Sequence, residues 1–171
     1  MDKVILVDEQ DNEIGSEEKM EAHRQSKLHR CFSILIFNDS GELLLQQRAK
    51  DKYHCGGLWT NTCCSHPRPG EKLMDATKRR LQEEMGFVCE MQEVFDFIYK
   101  AKFSNELTEY EFDHVFIGKY NGVVNPNSVE VEDCKWISMT DLERDLLGDP
   151  DKYTAWFKII LEKYLTLISN V

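Results

Sequence analysis

Short apolar runs separated by turn-forming residues dominate the chain up to about residue 137. "KVILVD" (Lys3 to Asp8) reads as a strand and "GSEEKMEAH" (Gly15 to His23) as a short acidic helix or turn. "HRCFSILIF", the turn Asn38-Asp39-Ser40-Gly41 and "ELLLQQR" read as a β-hairpin, since Asn, Asp, Ser and Gly supply turn chemistry. The period then changes. Leu73, Thr77, Leu81 and Met85 recur every four residues, which predicts a helix over Leu73 to Met85 with Gly86 as its stop. "EVFDFIYKAKF" and "YEFDHVFIGKY" predict two paired strands joined by "SNELTE". "VEDCKWISM" predicts a further strand, followed by "DLERDLLGD". Tyr153 to Ile168 predicts a long amphipathic helix, with Trp156, Ile159, Ile160 and Tyr164 at helical spacing. Strands that mostly follow strands predict an α+β chain, with a mixed or antiparallel sheet and helices packed on it. No repeat or linker interrupts the sequence, so the expectation is one domain over residues 1–171.

Composition narrows the partners. Hydrophobic residues make up 42% and charged residues 30%, an ordinary globular balance. No apolar stretch approaches the roughly 20 residues of a membrane span. The opening "MDKVILVDEQ" lacks a basic segment followed by a long apolar core, so no signal peptide and a cytoplasmic location are expected. A net charge of −10 argues against nucleic acid or an anionic membrane as partner. Two local basic groups, Arg48/Lys50/Lys52 and Lys78/Arg79/Arg80, could still receive a small phosphorylated ligand.

The six cysteines show no CxxC pair and read as thiols in a reducing compartment, most of them small core residues. "WTNTCCSHPRPGE" (Trp59 to Glu71) is the densest chemistry in the chain. It places Cys63, Cys64 and His66 within four residues, open to a metal site, a disulfide, a nucleophile or packing.

"SHPRPGEKLMDATKRRLQEEMGF" (Ser65 to Phe87) resembles the Nudix box, Gx5Ex7REUxEExGU with U apolar. It fits at Glu71, Arg79, Leu81, Glu83, Glu84, Gly86 and Phe87. Ser65 replaces the first Gly, and Arg80 replaces a Glu that would complete the metal-binding carboxylate cluster of a hydrolase. A guanidinium there becomes a possible phosphate ligand instead, since it pairs with phosphate oxygens in a fork. The resemblance implies a Nudix-like mixed sheet flanked by helices.

A Nudix chain with these departures is similar to the type 1 isopentenyl diphosphate isomerase family. Separated motifs carry the likeness: "EKMEAH" with "LH" (Glu18 to His29), "LLLQQRAKDK", "WTNTCCSHP", "IYKA", "EYEFDHVF" and "WFKII". The implied reaction converts isopentenyl to dimethylallyl diphosphate by protonation and deprotonation through a tertiary carbocation. Such chemistry needs acid and base on opposite faces, an electron-rich support and exclusion of water.

By this resemblance Cys64 and Glu111 form the acid–base pair, Tyr99 relays the proton, and the Trp156 ring supports the cation. His23, His29, His66, Glu109 and Glu111 would hold Mn²⁺, Zn²⁺ or Mg²⁺, with one coordination position open. Glu109 and Glu111, two apart on a strand, should face the same way. Glu84 would hold a Mg²⁺ that travels with the substrate diphosphate, and Lys19, Arg48, Lys52, Ser65 and Arg80 would bind that diphosphate. Cys63 should point away into the core, which disfavours a vicinal disulfide. His54 and His114 read as structural. The rival readings are a Nudix diphosphate hydrolase, which Arg80 disfavours, and a non-catalytic metal-binding or redox module.

Overall fold

The computed structural model describes residues 2–52, 54–103 and 107–169. The elements run β1 (Lys3–Val7), β2 (Glu13–Glu18), α1 (Lys19–Arg24), β3 (His29–Phe37), β4 (Leu43–Arg48), β5 (Trp59–Thr60) and β6 (Cys63–Ser65). Then follow α2 (Leu73–Met85), β7 (Met91–Lys102), β8 (Thr108–Lys119), β9 (Val131–Ile137), α3 (Met139–Gly148), a 3₁₀ turn at Pro150–Lys152 and α4 (Ala155–Ser169). The acidic stretch after Gly15 is therefore strand first and helix second. Of the connection between β7 and β8, Ser104 to Glu106 lie outside the described residues.

The sheet is mixed. β7 and β8 pair antiparallel, β8 runs parallel to β3, and β4 pairs antiparallel with β9. β3 is buried along nearly its whole length, as a strand covered on both faces should be. Its side chains alternate between two helical layers. Phe32, Ile34 and Ile36 join Ala76, Leu81 and Met85 of α2 in one core cluster. Leu35 and Phe37 join Trp156, Phe157, Ile160 and Leu161 of α4 in the other. This is the predicted sheet flanked by helices. Among the described residues, no helix is long and apolar enough to cross a membrane.

The expected β3–β4 hairpin forms only at its turn. Asn38 caps it as predicted, its Oδ1 accepting from the N–H groups of Ser40 and Glu42 at 3.0 Å each. Beyond the pair Phe37–Leu43 the strands part, and the segment "WTNTCCS" fills the gap. Its first half pairs with β4, Thr60 opposite Gln46; its second half pairs with β3, Cys64 opposite Ser33. Between them, side chains replace the missing ladder. Thr62 Oγ1 donates to the Leu44 carbonyl (2.6 Å) and accepts from the Ile36 N–H (3.0 Å). Asn61 Nδ2 donates to the Ile34 and Cys63 carbonyls at 3.3 and 2.7 Å. Buried backbone groups without partners would each cost about 1–3 kcal/mol, so these two residues hold the split sheet together.

Candidate active site

Strand register builds the centre of the site. Tyr99 on β7 lies opposite Glu111 on β8, and Glu111 lies beside His29 on β3. Directly paired residues share a face, so these three form one row across three strands. Glu109, two residues before Glu111, joins them on that face, as its spacing predicts. The Tyr99 hydroxyl sits between both carboxylates, 3.0 Å from Glu109 Oε2 and in contact with Glu111 Oε2. His23 enters from α1 and His66 from the end of the "WTNTCCS" ribbon.

Three imidazoles converge on one oxygen. Glu111 Oε1 lies 2.9 Å from His66 Nε2, 3.3 Å from His29 Nε2 and 4.0 Å from His23 Nε2. The Nδ1 atoms of His23 and His29 lie 2.7 and 2.8 Å from the carbonyls of Lys19 and Lys27. Donation to those carbonyls fixes the tautomer that leaves Nε2 as a lone-pair donor facing Glu111, the arrangement of metal-binding histidines. Burial, with Glu111 opposing it, lowers His23 to about 4, and burial lowers His66 to about 3. Both therefore stay neutral, the form that binds a cation. Burial, and next the charge of Glu111, pushes Glu109 well above the ordinary carboxylate range. For Glu111 the contacts with His29 and His66 overcome burial and hold the carboxyl well below it. Neutral imidazoles gathered around buried carboxylates fit a divalent ion such as Mn²⁺, Zn²⁺ or Mg²⁺.

The sequence suggests a structural role for His54, whereas in the fold it lies beside this cluster. Its Nε2 lies 2.9 Å from Glu109 Oε1, and His23, His54 and Glu109 form a second group of donors within 4.8 Å of one another. Glu109 thus faces His23 and His54, while Glu111 faces His23, His29 and His66. The preceding "RAKDK" motif carries the cations, and nothing in the spacing marks a histidine two residues past Lys52. By contrast His114 stays outside, between Glu93 and Asp11 at 2.7 and 3.1 Å.

A cleft opens over the row. Lys19, Arg48, Lys52, Ser65 and Arg80 line it together with Cys64, Tyr99, Glu109, Glu111, Glu84 and Trp156, while His23 and His29 are fully buried beside it. Cys63 and Cys64 point apart as expected: Cys63 packs in the core under α2, and Cys64 faces the cleft. Burial, with Arg48 opposing it, pushes the Cys64 thiol up to about 12. Arg48 Nη1 lies 3.9 Å from its sulfur. Trp156 is 2% exposed, packs in the α4 core cluster and also forms a wall of the cleft. Its Nε1 donates to Asn61 Oδ1 at 3.2 Å, and the Arg48 guanidinium carbon lies 5.3 Å from the ring centroid.

On α2, Arg80 pairs with Glu84 at the cleft and with Glu83 at its exposed edge, and lies 3.6 Å from Glu130. Lys52 also contacts Glu130. Glu84 further accepts from Gln46 Nε2 at 2.9 Å. A guanidinium therefore occupies the position where a hydrolase would gather a second helix carboxylate. Lys50 and Lys78 pair instead with Glu132 and Glu90 at the surface, at 3.0 and 2.9 Å.

The chain is similar to known proteins in sequence and in fold. The NUDIX domain model matches residues 27–157. Isopentenyl-diphosphate Delta-isomerase 1 of Aromatoleum aromaticum is 51% identical over 164 residues, covering 96% of this chain and 93% of its own. The Burkholderia multivorans isopentenyl-diphosphate Delta-isomerase is 49% identical over 162 residues, covering 95% and 92%. Among solved structures, a Deinococcus radiodurans protein superposes with a TM-score of 0.72 at 17% identity, covering 86% of this chain and 90% of its own. The MutT protein of Methanosarcina mazei gives 0.66 at 23%, covering 80% and 92%; these two likenesses speak for the fold alone. With half of its residues shared along nearly its whole length, the chain belongs to the isopentenyl-diphosphate Delta-isomerase family of Nudix-domain proteins.

Proposed function

We propose that this protein interconverts isopentenyl diphosphate and dimethylallyl diphosphate, a step that supplies isoprenoid precursors. The observation that carries the reading is the meeting of Cys64, the Tyr99–Glu111 pair and Trp156 in one buried cleft lined by four cationic side chains. The chemistry adds a proton to the terminal methylene carbon, leaves a tertiary cation on the branched carbon, and removes a proton from the carbon next to it. Cys64 and Glu111 are the two proton-exchanging groups, one on each face of the alkene, and they exchange roles when the reaction reverses. Tyr99, whose hydroxyl contacts Glu111, relays the proton on that side. The Trp156 ring supports the cation by roughly 0.5 to 2 kcal/mol. Burial of Glu111 and Trp156, beside the half-buried Cys64, keeps water from capturing it.

Lys19, Arg48, Lys52, Ser65 and Arg80 would bind the diphosphate. His23, His29, His66, Glu109 and Glu111 would hold one divalent ion, and Glu84 a Mg²⁺ arriving with the diphosphate. Such ions offset the crowded negative charge and tune the acidity of Glu111. The substrate is a small soluble anion, in keeping with a cytoplasmic enzyme.

The test is proton NMR of isopentenyl diphosphate with the protein, Mg²⁺ and Mn²⁺ in deuterated water. The dimethylallyl isomer should appear with deuterium in its new methyl group. Release of inorganic phosphate without isomerisation would assign the protein to the hydrolases. Metal binding with neither outcome would leave a binding module.

A further inference from the structure

We infer that His54 sets the size of hydrocarbon the cleft accepts, its imidazole closing the reacting end against isoprenoid diphosphates whose branch is longer than methyl. The inference rests on the reading of the cleft as an isomerase site and adds to it a residue that selects among substrates of that class.

His54 lines the cleft beside Trp156, Cys64, Tyr99 and Glu111, the groups that would surround the alkene. Its ring stands edge-on to Trp156 with centroids 5.9 Å apart, a separation at which two aromatic rings are in contact. The same ring stacks on Phe103 at 4.9 Å with 6° between the planes, and its Nε2 lies 2.9 Å from Glu109 Oε1. The diphosphate end is elsewhere: Lys52 and Arg80 both reach Glu130, and Arg80 pairs with Glu84. A further carbon on the branch, turned toward Trp156, would therefore have to displace the indole or the imidazole.

Both rings are held. Trp156 is tied to Asn61 through its Nε1. On the other side, the turn after His54 takes left-handed backbone at Cys55 (φ 52°) and Gly57 (φ 80°). A non-glycine residue at positive φ costs free energy and persists where the surroundings hold it. A Cβ at Gly56 would meet the Lys50 carbonyl oxygen at 2.3 Å, so the two chain segments touch where only glycine fits. The Gly57 N–H donates to the Arg48 carbonyl at 2.9 Å, and Arg48 Nη2 donates to the His54 carbonyl at 3.3 Å. The imidazole that results is only 7% exposed. A close-packed wall of this kind discriminates, because making room for one more methylene strains everything behind it.

The test compares isopentenyl diphosphate with the homologue in which an ethyl group replaces the methyl branch. Binding is read by calorimetry and turnover by NMR, on wild type, His54→Ala and His54→Phe, all loaded with Mg²⁺ and Mn²⁺. Wild type should favour the natural substrate roughly 10- to 200-fold in kcat/KM. His54→Ala should bring that preference to within a few-fold, and His54→Phe, which refills the space with a flat ring, should keep it. A purely structural role would weaken both substrates alike, so an unchanged ratio in His54→Ala overturns the proposal. A crystal structure of the wild type with the saturated isopentyl diphosphate tests it without any substitution. Alkyl carbons within about 4.5 Å of the His54 ring are expected, and a chain lying away from that ring also overturns it. Wild type that isomerises both compounds equally well removes this inference and leaves the reaction. Selective binding that depends on His54, without turnover, leaves the size selection and removes the reaction. Binding of neither compound removes both.

Discussion

At the scale of single residues, two adjacent thiols illustrate how neighbours acquire separate tasks. Cys63 and Cys64 sit on one short strand, so the pleat sends one into the α2 core and the other into the cleft. Cys64→Ala should lower isomerisation, followed by NMR, by about 10²–10⁴-fold while Mn²⁺ affinity stays near wild type. Cys63→Ala should keep turnover and lose about 1 kcal/mol in thermal unfolding, because it removes one buried atom from a packed core. The reverse pattern would sink the assignment. Much of this was legible beforehand: period-two spacing put Glu109 and Glu111 on one face, and the motif "WTNTCCSHP" separated the two cysteines. His54 was not legible. A lone histidine before a glycine pair carries no periodicity, and only the folded loop brings it to Glu109.

At the scale of elements, α2 was the easiest to read, because four apolar positions and a terminal glycine agree. Its observed bounds, Leu73–Met85, are those the spacing predicts. Gly86 adopts φ 79°, and a Cβ there would meet the Asn125 carbonyl oxygen at 2.3 Å. The loop before the helix is buttressed by Arg79, whose Nε and Nη2 donate to Glu71 at 2.7 and 2.8 Å. The bond from Arg79, opposed by slight desolvation, lowers the Glu71 carboxyl below its ordinary value of 4.5. A depressed carboxylate stabilises the fold fully above pH 4.5 and loses that contribution as pH falls through its lower folded value. Glu71→Gln should therefore lower Tm at pH 7, and the gap to wild type should close as the medium is acidified below pH 4.5. A gap that stays constant would rule the ion pair out as its cause. The β3–β4 hairpin was misread because turn chemistry is local, whereas a strand's partner is chosen by residues far along the chain. The parallel β3–β8 ladder joins segments some 80 positions apart. Strands of two and three residues, β5 and β6, are too short to show a period. Thr62→Val tests what holds them: it keeps the shape, strips the hydroxyl from the Ile36 and Leu44 backbone groups, and should cost about 1–3 kcal/mol in denaturant unfolding. Thr62→Ser should recover most of that loss.

At the scale of the whole molecule, the charge distribution is divided. A chain of net charge −10 keeps Lys19, Arg48, Lys52 and Arg80 around one cleft, so a diphosphate meets local attraction on an otherwise repelling surface. Beneath it, two buried glutamates on β8 and four histidines form two groups of possible metal donors that share His23. A ligand that binds only the folded state stabilises it by mass action, about 2.7 kcal/mol at a hundred times its dissociation constant. Saturating Mn²⁺ should therefore raise Tm by roughly 5–10 °C over the chelator-treated protein. The rise should vanish in Glu111→Gln, and an unchanged Tm in the wild type would refute metal binding at this cluster. The split between β3 and β4 carries a wider consequence. The ribbon in that split brings Cys64 and Ser65 to the cleft, and Asn61 and Thr62 tie it to both strands through backbone carbonyls and amides. The opening is thus a property of the chain's path, and the groups exposed along it can be exchanged without closing it. Such an architecture is suited to diversification: one scaffold could acquire different reactions by altering a handful of side chains while its folding remained protected.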